Sequence, residues 1–173
     1  MRITIAVLLC ALVVGATTTS ASATPRGSDP CDLMEAGFSF LERHAWYANL
    51  SEQHGRGSYS CQWTSAGKLN EHGLSLYVFV TRSAREAASE FRQYAPATFG
   101  PQIRLPGADE ARGKEFTKRI ATRRFTESRV AWRQGRYVCL LSALGIGDSG
   151  DLETALDLLK PFVRRLARQG VNP

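Results

Sequence analysis

The six residues Gly145-Ile-Gly-Asp-Ser-Gly150 have the spacing of a phosphate-cradling loop, G-x-G-x-x-G, between an apolar run and an amphipathic one. In a dinucleotide site such glycines let backbone amides approach a pyrophosphate at a helix start, and a later parallel strand brings an acidic residue. No such strand follows here, and Asp148 and Asp151 put negative charge where the pyrophosphate would sit. The glycines therefore read as a turn and a helix cap. Asp109-Glu110, after Pro106-Gly107, are neighbouring acids of the kind that share proton-transfer work, but in that setting a solvated turn is the simpler reading. His44, His54 and His72 lack metal-ligand spacing, no cysteine pair has the C-x-x-C spacing, and no G-x-S-x-G elbow exposes a serine. No catalytic, cofactor or metal site is expected, and the chain reads as a non-enzyme.

Charge is the stronger signal. The chain carries a formal net charge of +6. Between positions 112 and 136 stand nine basic residues, Arg112, Lys114, Lys118, Arg119, Arg123, Arg124, Arg129, Arg133 and Arg136, against Glu115 and Glu127. Such a stretch is either a solvated sheet edge or a surface for an anionic partner. Phe116, Phe125, Trp132 and Tyr137 are interleaved with it, although strand alternation sends several of these rings inward.

What positions these residues begins with an export signal. Met1-Arg2, the apolar run Ile3–Ala16 and Ala21-Ser22-Ala23 read as a secretory signal peptide cleaved after Ala23. Val7-Leu8-Leu9 is a poor setting for lipidation at Cys10, and no later run is long and apolar enough to cross a bilayer. Positions 24–29 read as a disordered leader and 30–173 as a single domain, a usual size for one core. An exported chain makes intracellular nucleic acid a poor partner. An anionic envelope polymer or a secreted or envelope protein fits better.

Cysteine usage follows from export. Cys31, Cys61 and Cys139 remain after cleavage, an odd number, so one disulfide and one thiol are expected. Cys31 and Cys61 are the better-placed pair, while a Cys61–Cys139 bridge between strands stays open.

The domain is organised around Arg129–Leu144. Two β-favouring runs, Val130–Trp132 and Tyr137–Leu144, flank Gln134-Gly135 as a two-residue loop, which sets Trp132 opposite Tyr137 and Val130 opposite Cys139. Tyr59–Trp63 and Leu74–Thr81 alternate as strands, and the second is apolar on both faces. The first helix is expected from Pro30 to about His44, followed from Ala45 to Ser58 by mostly loop with room for a short irregular strand. Ser83-Ala-Arg-Glu86 is a capping box that opens a helix ended by Pro96. Residues 112–125 suit one or two basic edge strands. A closing helix from about Asp151 to Gln169 buries Leu152, Ala155, Leu156, Leu159, Phe162, Val163 and Leu166, with a kink expected at Pro161. The order predicts an α+β fold, a mainly antiparallel sheet flanked by helices.

Pro30-Cys-Asp-Leu33, Cys61-Gln-Trp63, Gly107-Ala-Asp-Glu-Ala111, the Trp132–Tyr137 hairpin and the closing helix together resemble uncharacterised secreted proteins and lipoproteins of actinobacteria. These are similar to the PsbP/Mog-like α/β sandwich and to extracellular sensor domains of actinobacterial kinases. The resemblance implies a Cys31–Cys61 disulfide, a sensor-like or envelope-binding role, and no catalytic residues. It leaves two rivals, an inhibitor of a secreted enzyme and a secreted hydrolase without a recognisable motif.

Overall fold

The computed structural model describes residues 29–35, 41–51, 56–65, 72–120, 122–146 and 150–170. The expected signal peptide, the leader up to residue 28, His54, the side chain of His44 and the Gly147–Ser149 part of the glycine stretch lie outside the described residues.

Asp29, expected in the leader, caps the first helix instead: its carboxylate accepts from the Cys31 amide at 2.8 Å. That helix, α1, covers only Pro30–Glu35. Where helix to about His44 and then mostly loop with at most a short irregular strand were expected, Leu41–Ser51 forms the full strand β1. It pairs with β2 (Arg56–Ser65) along its whole length, with an irregularity between Arg43 and Ala45. A hairpin partner outweighs the weak local preference for helix, because each strand satisfies the other's backbone groups.

Beyond β2 come β3 (Gly73–Val80), α2 (Ala84–Tyr94), β4 (Glu110–Ile120), β5 (Arg123–Gln134), β6 (Tyr137–Ile146) and α3 (Leu152–Gln169). Among the described residues, six strands form one antiparallel sheet in the order β1-β2-β3-β6-β5-β4. The fold is thus the α+β sandwich expected, with β3 and β6 central and the basic strand β4 at an edge.

The β5–β6 hairpin exists, but its loop is Gly135-Arg136 rather than Gln134-Gly135. Gln134 therefore faces Tyr137, Trp132 faces Cys139 and Val130 faces Leu141. The reason is local: Gly135 takes φ 55°, the left-handed value that glycine adopts without a Cβ penalty.

One face of the sheet packs under α1 and α3. Trp63, Leu76, Val78, Val130, Trp132 and Leu141 meet Met34 from α1 and Leu159, Phe162 and Leu166 from α3, all buried. The rings of Trp132 and Phe162 meet edge to face at 5.8 Å. The α3 stripe is largely as expected, with Leu152 and Leu156 only partly buried. Asp151 caps α3 through the Thr154 amide at 2.7 Å, and the helix continues on both sides of Pro161.

Among the described residues, α2 is the helix on the opposite face, through Ala87, Phe91 and Ala95 against Ala131 and Val138. Ser83 caps α2 as the capping box requires, accepting from Glu86 N–H, and the Glu86 carboxylate accepts from Arg82 N–H. This helix is shorter than the sheet, so part of that face has no described helix over it.

Candidate functional site

The basic stretch does not make one surface. Alternation along β4 and β5 puts Arg112, Lys114, Lys118 and Arg133 on the α2 side of the sheet and Arg119 and Arg124 on the other. Several of these charges are engaged inside the fold. Arg112 Nη1 donates to the Gly100 carbonyl at 3.3 Å, and Arg133 Nη1 donates to Asp109 Oδ2 at 2.9 Å. The same Asp109 oxygen accepts from the Gly135 amide at 2.7 Å, so this acid braces the hairpin turn. Arg136 sits in that turn, 5.6 Å from the Tyr137 ring centre. Lys118 pairs with Glu127.

Three others, Arg119, Arg123 and Arg124, gather at one end of the sheet. Pairing of β5 with β6 begins at Phe125, whereas β4 and β5 stay paired out to Ile120 and Arg123. The β4–β5 ribbon therefore runs past the end of β6, and it carries Arg119 directly opposite Arg124, with Arg123 next along β5 on the α2 side. All three are exposed. Like charges face to face across a ladder disfavour each other. Among the described residues neither Arg119 nor Arg124 has a carboxylate partner.

On the α2 side the strands bring other residues together. Ser75 on β3, Ser142 on β6, Arg129 on β5 and Lys114 on β4 are successive cross-strand partners, a polar row across four strands. The next row is Tyr77, Leu140, Ala131 and Arg112. Over these rows stand Tyr94 from α2 and Phe99 from the loop after it, around a cavity of about 510 Å³. Phe79 stacks on Tyr94 at 4.7 Å, which fixes that wall. Tyr77 and Tyr94 are exposed by 38% and 43%, the large hydrophobic side chains most open to solvent among the described residues.

Glu127 sets the charge at the cavity edge. It is buried, pairs with Lys118, accepts from Arg129 Nε at 2.7 Å, and lies 3.3 Å from the Ser142 hydroxyl. Burial alone would raise its pKa, but hydrogen bonds and charge from Lys118 and Arg129 outweigh burial and hold it below the usual glutamate value. One carboxylate thus faces two cations, and Lys114 adds a third, 4.7 Å from the Phe116 ring centre and 5.5 Å from that of Phe99.

A disulfide joins Cys31 to Cys61, with the two Cα atoms 5.8 Å apart, and ties α1 to β2. Cys139 is a free, buried thiol whose pKa burial pushes well up, so it is packed as a small hydrophobe rather than held as a thiolate. Gly150 packs its backbone against β5 and the end of β6: a Cβ there would fall 2.1 Å from the Thr126 carbonyl oxygen and 2.5 Å from Gly145 N. Among the described residues no group of three or more metal-capable side chains gathers, and no helix is long and apolar enough to cross a membrane.

No protein-family model matches this chain, and no curated protein matches it. The crystal structure of the extracellular domain of PknH from Mycobacterium tuberculosis is similar, at a TM-score of 0.47 and 11% identity over 78% of this chain and 91% of that one.

The sequence pointed to the ribbon but missed the cavity. A strand apolar on both faces, with Tyr77 and Phe79 turned away from the main core, was the available signal. Only the register shows that, among the described residues, one short helix and the loop after it line that face.

Proposed function

We propose that this chain is a non-enzymatic, extracytoplasmic binding module that attaches to anionic envelope material through the β4–β5 ribbon. The observation that carries this reading is the extension of that ribbon past β6, with Arg119 and Arg124 opposed and without carboxylate partners among the described residues. An anion laid across the pair relieves their repulsion, and because the site is exposed the attraction is screened by salt. The Cys31–Cys61 disulfide supports an oxidising compartment, where such bonds persist.

Co-sedimentation of the purified protein with cell-wall fractions and with anionic or neutral vesicles, over a salt series, tests the proposal. Retention on anionic material should fall steeply as salt rises. Arg119→Glu, Arg123→Glu and Arg124→Glu together should abolish it without lowering the melting temperature. Retention that survives the triple reversal would sink the proposal.

A further inference from the structure

The cavity on the α2 side calls for a different ligand from the one the ribbon suits. Its floor and wall are aromatic and aliphatic, and Tyr77 and Tyr94 expose ring surface that no described helix covers. Pockets of this volume that combine apolar walls with a few convergent polar groups are the usual places for small molecules. Along one side runs the row Ser75, Ser142 and Arg129. Arg129 spends its Nε on Glu127 and rests its guanidinium 5.2 Å from the Phe116 ring centre. Its two Nη nitrogens donate to no described residue. Glu127 thus orients the guanidinium without using the edge that grips carboxylates bidentately. The three cations Lys114, Lys118 and Arg129 exceed the single carboxylate of Glu127, so the local field favours an anion and opposes a cation.

We propose that this cavity binds a small aromatic carboxylate: its ring system lies against Tyr77, Leu140, Tyr94 and Phe99, and its carboxylate is held by the Nη edge of Arg129 beside Ser142. Offset stacking on the tyrosine rings accounts for a planar body. The charge of Arg129 accounts for the single negative group. The site is separate from the β4–β5 ribbon, and neither proposal depends on the other.

Three probes with the same naphthalene body and different charge test it: naphthalene-2-carboxylate, the neutral 2-naphthamide, and the cationic 2-(aminomethyl)naphthalene. Titration calorimetry of the purified protein at neutral pH should rank them acid, amide, amine, with at least about tenfold between acid and amide. Arg129→Gln should erase the preference for acid over amide and leave the amide's affinity unchanged. Tyr94→Ala, at an exposed position, should weaken acid and amide alike by about tenfold and keep their ratio. Equal affinity for acid and amide in the unsubstituted protein overturns the proposal. So does absence of binding by all three probes at millimolar concentration, or a charge preference that persists in Arg129→Gln. If Arg129→Gln does not fold, the acid-to-amide ratio of the unsubstituted protein and the Tyr94→Ala result decide the matter.

Discussion

The face under α1 and α3 and the face under α2 are made by the same strands, yet one is closed and the other is half open. On the closed face Val130 and Trp132 alternate with residues of the open face, Arg129 and Ala131, so neighbouring positions on β5 serve opposite purposes. The closed face holds the large buried rings, a long helix with a continuous apolar stripe, and the disulfide. The open face holds the charged row, the cavity and one short helix. Stability is concentrated on one side, which leaves the other free to carry groups that a dry core would not tolerate.

That contrast can be broken by experiment. Trp132→Ala, which empties the centre of the closed face and removes the edge-to-face contact with Phe162, should cost about 3–5 kcal/mol by urea denaturation. Replacing Cys31 and Cys61 together with serine should cost about 3–4 kcal/mol, because the bridge spans 30 residues and restricts the unfolded chain. On the open side Glu127→Gln should cost about 1–2 kcal/mol near neutral pH, since its cationic partners are half-exposed and water replaces part of what they lose.

The Glu127 contribution also has a definite pH dependence. Its carboxyl is more acidic folded than unfolded, so the unfolded chain takes up the proton first as pH falls. The stabilisation is complete above the ordinary glutamate value of about 4.3 and is lost as pH drops through the lower folded value. The gap between the original protein and Glu127→Gln should therefore close in acid, which melting curves at successive pH values would show. A gap that widened in acid would contradict the sign. The smallest effect is expected at Tyr94→Ala, about 1 kcal/mol from the lost stack on Phe79. If Tyr94→Ala proved as costly as Trp132→Ala, the asymmetry between the faces would not hold.

Much of the closed face was legible in the chain. The α3 stripe, the Asp151 cap and the both-sided strand β3 follow from periodicity and capping chemistry, which are local. The Cys31–Cys61 pair was the better of two pairings on placement alone. What local chemistry does not carry is pairing. The residues of β1 locally suggest helix and then mostly loop, because the partner that makes them a long strand lies across a turn, and a ladder can outweigh intrinsic preference. The hairpin loop lies one residue later than the sequence suggests, which shifts the cross-strand partners by two positions; Gly135 suits either loop, and only the turn geometry decides. The cavity was invisible for the same reason. Ser75, Ser142, Arg129 and Lys114 become neighbours only through the order of four strands.

The order of strands has one more consequence, for how the chain reaches its native state. Strands β1, β2 and β3 form one consecutive meander and β4, β5 and β6 another, and the two meet along the single ladder from Gly73↔Leu144 to Val80↔Tyr137. Until that ladder closes, each half presents its most apolar strand as a bare edge. Folding should therefore be slow and all-or-none, limited by a search between segments far apart in sequence, rather than by formation of either meander. A chain severed in the connection between α2 and β4 should yield two fragments, each aggregation-prone alone, that recover the native fold when mixed.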